Sequence, residues 1–167
     1  MGKTIIAIDP GEKGYITILK EGEHDFIAIA DHDREEIATT ISQFFDPFAE
    51  VVAVMEEVHA VFGASAKSTF NFGEIFGFLK GVLITSGIPY HLVQPKEWQG
   101  EIWINEDKVY RYKHDGKKMV DTKSTSIAAA RRLFPAIDLR RTPKCKSPDD
   151  NKVDSLLICE YARRKNL

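Results

Sequence analysis

Two cysteines in 167 residues, Cys145 and Cys159, are too few for a disulfide framework and lack the spacing of a metal-ligand set. Both are expected to be reduced thiols, as in a cytoplasmic protein. Long apolar runs are also missing. The most apolar segment, 70–84, is broken by Glu74 and Lys80, so no membrane span is expected. Met1-Gly2-Lys3 leads straight into a strand-like run, so no signal peptide is expected. There is no internal repeat, low-complexity tract or linker, which argues for one domain over residues 1–167. Nor is there a large excess of one charge sign. The net charge of −2 does not advertise a nucleic-acid binder. Its distribution is uneven, however. Residues 1–95 hold 6 Lys+Arg against 14 Asp+Glu, and residues 96–167 hold 17 against 11. The second half can present a basic surface beside an acidic site, although a solvated helix face is the plainer explanation.

What is present is ordinary globular material, 43% hydrophobic and 29% charged. Thr4 to Ile8 is short and rich in β-branched residues, so a buried strand is expected. Asp9-Pro10-Gly11 is turn chemistry, and Tyr15 to Leu19 returns as a second strand. Asp25 to Ala30 reads as a third. Asp33-Arg34-Glu35-Glu36 opens a helix that Pro47 stops. Val51 to Met55 is a fourth strand, ending in Glu56-Glu57. A loop over 58–67 leads into a helix over about 68–86. Pro89 to Val93 is a fifth strand, which Gln94-Pro95-Lys96-Glu97-Trp98 breaks.

Residues 100–121 read as an insert, with a hairpin of 101–104 and 109–112 around Asn105-Glu106-Asp107 and a later turn at Asp115-Gly116. Lys123 to Leu133 is a helix, 136–148 a basic loop, and Asp149-Asp150-Asn151 caps a final helix to about Arg164. This order is that of an α/β domain with a mixed five-stranded sheet flanked by helices.

Asp9 and Glu56 each end a strand. If those strands are parallel neighbours, both carboxylates lie at the sheet end where α/β folds bind ligands. Asp150 and Asp154 stand at i, i+4 on one helix face. Asp154 lies a turn into the helix, just before Leu156-Leu157-Ile158-Cys159, where a cap role does not suit it. Four acids that converge repel one another unless cations hold them, and oxygen-rich sites favour Mg²⁺ or Mn²⁺. Such ions support phosphodiester hydrolysis.

Ile8-Asp9-Pro10-Gly11, Met55-Glu56-Glu57-Val58-His59, Lys123-Ser124 at a helix start and Asp150-x-x-x-Asp154-Ser-Leu-Leu together resemble the RuvC family of Holliday junction resolvases. Ser68-Thr69-Phe70-Asn71-Phe72-Gly73 and Val93-Gln94-Pro95-Lys96-Glu97-Trp98 resemble its phage-type branch. The resemblance covers nearly the whole chain except 100–121. It implies a ribonuclease H-like fold, a homodimer, two Mg²⁺ per active site with Mn²⁺ as substitute, and paired nicks in a four-way DNA junction. By position, Asp9, Glu56 and Asp154 match metal-binding carboxylates. Strand alternation lets only one of Glu56 and Glu57 face the site, and the family pattern favours Glu56. The fourth acid is Asp150 at four-residue spacing, whereas the three-residue spacing of one branch of the family lands on Asn151, which brings no charge; Asp149, five residues before Asp154, is a further choice that helix geometry disfavours.

In the same family a lysine matching Lys123 sits beside the metals and can meet the scissile phosphate. A lysine at a helix start opposes the helix dipole, so helix stability does not explain it. Lys96 matches a second basic position that can bind DNA backbone. His59, Phe62 and Lys67 fall on the loop that enters the junction centre in the family, where an aromatic can stack on unpaired bases. Phe62 is the better wedge, with a buried loop anchor as its plain alternative. Arg131, Arg132, Arg140, Arg141, Lys144 and Lys146 are candidates for phosphate contact. Gly73, Gly77 and Gly81 recur every four residues. They serve either tight packing on the sheet or a dimer interface. Two rivals to a resolvase are a ribonuclease H-type nuclease with another substrate and a non-catalytic nucleic-acid-binding module on the same fold. An actin-like nucleotide-binding domain also begins with an Asp after a strand, but needs a second domain for which 167 residues leave no room.

Overall fold

The computed structural model describes residues 2–57 and 65–167. Thr4–Asp9 forms β1, Tyr15–Lys20 β2 and Glu23–Ala28 β3. The β2–β3 turn places Glu21 and Gly22 at φ 53° and 87°, the two left-handed residues of a tight hairpin. A short 3-10 turn at Ile29–Asp31 replaces the end expected for the third strand. Arg34–Ser42 is α1, opened by a capping box in which Asp33 and Glu36 satisfy each other's backbone N–H. Val51–Glu56 is β4, Ala66–Thr85 is α2 with Ser65 as its cap, and Tyr90–Val93 is β5. Lys67 therefore lies in the first turn of α2 and not in the preceding loop. His59 and Phe62 lie outside the described residues.

The sheet order is β3-β2-β1-β4-β5. β1 runs antiparallel to β2 and parallel to β4, and β4 runs parallel to β5. This is the mixed five-stranded ribonuclease H-like sheet expected from the sequence.

Two expected features of the 94–121 region are corrected. Gln94-Pro95-Lys96-Glu97-Trp98 does not merely break β5; Pro95–Ile102 forms α3. Pro95 takes the first helical position, where its missing N–H costs nothing. Trp98 and Ile102, one helical turn apart, are completely buried. No hairpin joins 101–104 to 109–112. Asn105–Asp107 is instead a 3-10 turn, held because Arg132 donates to both Asp107 carboxylate oxygens at 2.9 and 2.8 Å. The hairpin lies further on, with Tyr110–Tyr112 as β6 and Lys118–Val120 as β7 around Asp115-Gly116. Thr122–Leu133 is α4 and Asp150–Lys165 is α5.

Strand alternation divides the core in two. Ile5, Ala7, Val52 and Val54 face α3, α4 and α5. Ile6, Ile8, Ala53 and Met55 face α1 and α2. A buried hydrogen bond of 2.7 Å between Thr17 Oγ1 and Ser155 Oγ ties α5 to β2. The glycines of α2 do not pack on the sheet. A Cβ at Gly73, Gly77 or Gly81 would meet nothing within 4 Å. Ile75, Leu79, Val82 and Leu83 carry the packing from the opposite side of the helix.

A candidate active site of clustered carboxylates

The alternation that builds the core also aims the acids. Asp9 continues the Ile5, Ala7 face of β1, and Glu56 continues the Val52, Val54 face of β4. Ile8 pairs with Met55 in parallel register, so the next residues, Asp9 and Glu56, emerge side by side at the same sheet end toward α5. Glu57 falls on the alternate parity. Asp154 enters from α5, and Asp150 stands one turn nearer its start.

Gly14 makes the β1 end possible. A Cβ there would sit 2.0 Å from the Asp9 carbonyl oxygen, so any side chain at Gly14 would displace Asp9. The Asp9-Pro10-Gly11 turn thus depends on a second glycine, three residues past the first.

The acids are energetically uncomfortable. Burial pushes the Asp9 carboxyl well above its usual range, and the charges of Asp154, Glu56 and Asp150 push it further. Burial likewise raises Asp154, to about 7; Glu56 and Asp150 add to the effect, while a hydrogen bond from Ser126 and the charge of Lys123 oppose it. One Asp154 oxygen, Oδ1, is buried with no hydrogen-bond partner. Glu56 is raised by burial too, partly offset because Trp98 Nε1 donates to its Oε2 at 2.8 Å. Lys123 is in close contact with the Asp150 carboxylate, and that hydrogen bond raises the lysine.

Trp98 and Ser126 escaped the sequence reading. The signal for Trp98 was available, since Pro95 and the 98–102 apolar spacing already mark a helix start. Nothing local singled out Ser126.

Hard divalent cations suit this donor set: carboxylate oxygens alone, mutually repelling, with one buried oxygen unpaired. As the side chains stand, no group of three or more His, Cys, Asp or Glu among the described residues is arranged to hold a metal ion. Asp150 is engaged by Lys123 instead.

The other positions divide into two groups. Lys67, Lys96 and Arg131 are exposed. Arg140 and Arg141 are already engaged within the chain. Arg140 chelates Asp138, with Nη2 at 2.8 Å from Oδ2, and Arg141 pairs with Asp31. Asp149 caps α5, accepting from the N–H groups of Asn151 at 3.1 Å and Lys152 at 3.3 Å. Among the described residues, no helix is long and apolar enough to cross a membrane.

The sheet order, with carboxylates at the ends of its two central parallel strands, defines a ribonuclease H-like architecture. Solved structures share it, among them two of RuvC. One is Thermus thermophilus RuvC in complex with a Holliday junction substrate, at TM-score 0.55 and 12% identity, covering 97% of this chain and 96% of that one. The other is a Thermus thermophilus RuvC structure, at TM-score 0.52 and 13% identity, covering 98% and 96%. At such identity the likeness speaks for the fold. No family model matches the chain, and no curated protein matches it.

Proposed function

We propose that this chain is a metal-dependent, structure-selective DNA endonuclease that resolves four-way junctions by paired nicks, acting as a homodimer in the cytoplasm. The observation that carries this reading is the set of Asp9, Glu56 and Asp154 on one face of the sheet end, each raised by burial. A structural role does not explain such a set, because isolated buried carboxylates destabilise a fold.

Asp9, Glu56, Asp154 and Asp150 would hold two Mg²⁺, with Mn²⁺ as substitute. Bound there, the ions supply Lewis acidity to a water and to the leaving 3′ oxygen of a phosphodiester. The protein's own groups do the rest. Trp98 holds the Glu56 carboxylate in place through its indole N–H. Ser126 orients Asp154. Lys123, with its side chain 73% exposed at the rim, is free to exchange Asp150 for a scissile phosphate and to offset its growing charge.

Paired cuts on opposite strands require two sites, and α2 offers the surface to join them. Phe70, Gly73, Gly77, Gly81 and Ile84 follow helical spacing along one stripe. Phe70 is 73% and Ile84 61% exposed. A smooth glycine ridge with an apolar side chain at each end admits a second backbone closely.

The test is one gel assay with labelled four-way junction, linear duplex and RNA–DNA hybrid, with and without Mg²⁺. Conversion of the junction into two nicked duplexes, only with Mg²⁺, is expected. Preferential cleavage of the hybrid would favour a ribonuclease H-type enzyme. Binding without cleavage would favour a non-catalytic module.

A further inference from the structure

The β6–β7 hairpin adds almost nothing to the core. Residues 110–118 are exposed throughout, Tyr110 at 45% and Tyr112 at 72%. A two-stranded ribbon is marginal in water on its own, yet this one is locally well built. Gly116, at φ 77°, turns the chain. The Lys113 N–H donates to the Lys117 carbonyl at 3.0 Å and the Gly116 N–H to the Lys113 carbonyl at 2.9 Å. The Lys118 ammonium lies 4.0 Å from the centroid of the Tyr110 ring. Four cations, Arg111, Lys113, Lys117 and Lys118, stand against one carboxylate, Asp115. Among the described residues, the one ion pair inside the hairpin is Lys117 with Asp115, at 3.7 Å.

Its base is fixed beside the carboxylate site. The Asp121 N–H donates to the Val109 carbonyl at 2.8 Å, and the Val109 N–H donates to the Thr125 hydroxyl at 3.1 Å. Asp121 caps α4, two residues before Lys123, which contacts Asp150. A basic ribbon therefore springs from the rim of the acidic site.

We infer that the β6–β7 hairpin is a nucleic-acid-binding arm, which grips the duplex flanking the scissile phosphate through Arg111, Lys113, Lys117 and Lys118. Guanidinium and ammonium groups are the principal phosphate donors, and a two-stranded ribbon fits the major groove. An acidic site repels a polyanion, so a cationic arm at its rim supplies the attraction that the site lacks. This inference rests on the reading of the chain as a DNA endonuclease.

The test compares wild type with the combined Arg111→Gln, Lys113→Gln, Lys117→Gln, Lys118→Gln variant. Fluorescence anisotropy, without divalent metal, reports binding to labelled four-way junction and linear duplex across a salt series. Each phosphate contact contributes about 0.9 to the slope of log K against log salt, so the four-residue variant should lose up to about 3.6 in slope and bind about tenfold more weakly or worse. The thermal melt should not move. If it does, the paired variants Arg111→Gln/Lys113→Gln and Lys117→Gln/Lys118→Gln should each give about half the slope change.

Unchanged affinity and slope would overturn the arm and leave the resolvase reading standing. Hairpin-dependent binding with no junction cleavage in Mg²⁺ would keep the arm and overturn the resolvase. Failure of wild type to bind either DNA would overturn both.

Discussion

α5 and α2 cover opposite faces of the same central strands and use their surfaces in opposite ways. Nine of sixteen α5 residues are buried, including the polar Ser155 and Glu160. Only four of twenty are buried in α2, whose far side is glycine and exposed apolar groups. A helix enclosed this fully can hold an acid such as Asp154 in a fixed, unfavourable place. A helix enclosed on one side leaves the other open. If, as proposed, the first arrangement serves a site and the second a contact, the two should respond to mutation in opposite senses.

The largest expected effect is at Asp154. Asp154→Asn should abolish Mg²⁺-dependent junction cleavage while leaving junction binding intact, since removing negative charge does not weaken attraction to phosphate. It should also stabilise the metal-free protein. Burial raises Asp154 from 3.8 to about 7, so above pH 4 the native chain keeps a proton that the unfolded chain has released. The contribution of this residue to metal-free stability is therefore greatest at low pH and falls as pH rises toward 7, by up to about 4 kcal/mol. Asp9 acts in the same sense. Thermal melts from pH 4 to 8 should show the decline in wild type and a flatter profile in Asp154→Asn. Mg²⁺ at pH 7.5 should raise the wild-type melting temperature and leave the variant unmoved. Wild-type stability that rises with pH would break the comparison on the α5 side.

Gly77→Arg tests the other helix. A side chain there meets open space, and replacing a helical glycine gains up to about 1 kcal/mol of helix propensity. The isolated chain should melt no lower than wild type, yet sediment as a monomer. It should lose paired resolution while keeping single nicks. A variant that still sediments as a dimer would remove α2 from the interface.

The difference between the helices also marks how far the sequence could be read. β1 and β4, with their terminal carboxylates, were legible because short β-branched runs bounded by turn residues leave few alternatives. The i, i+4 spacing of Asp150 and Asp154 was legible for the same kind of reason. Helical period showed that Gly73, Gly77 and Gly81 share a face. It could not show which way that face points, because the packing is supplied by α1 and the sheet. α3 was missed because a proline was read as a stop when it was a start. The 105–107 turn was out of reach, since Arg132, twenty-five residues later, holds it.

Trp98→Phe should have an intermediate effect. It keeps an aromatic ring in the core and removes the one indole N–H that donates to Glu56 at 2.8 Å. Losing such a partner behind a metal ligand costs about 10–100-fold in metal affinity or activity. The Mg²⁺ concentration needed for half-maximal cleavage should rise, with junction binding unchanged. The enclosed side of the sheet thus supports the site through α3 as well as α5. A variant with wild-type Mg²⁺ dependence would restrict that support to α5.

The smallest effect, at Asp149, and the finest division, between it and Asp150, lie at the start of α5. Asp149 and Asp150 are adjacent carboxylates with different partners. Asp149 accepts from two backbone N–H groups of its own helix and from the Tyr15 hydroxyl at a longer 3.4 Å. Its side chain is occupied by the cap. Asp150 points its charge at Lys123, one turn before Asp154. Asp149→Ala should therefore cost about 1 kcal/mol of stability, the usual worth of a cap, and change cleavage by no more than about the fraction of protein that unfolds. Asp149→Asn should cost still less, because Asn caps as well as Asp does. Asp150→Asn should leave the melt nearly unmoved and remove Mg²⁺-dependent cleavage. Asn151→Ala, which removes no charge, should stay active. Measured side by side by thermal melt and junction cleavage, the two aspartates should separate completely. A dead Asp149→Asn beside an active Asp150→Asn would move the fourth ligand to the cap, and with it the boundary between the part of α5 that holds the fold and the part that serves the site.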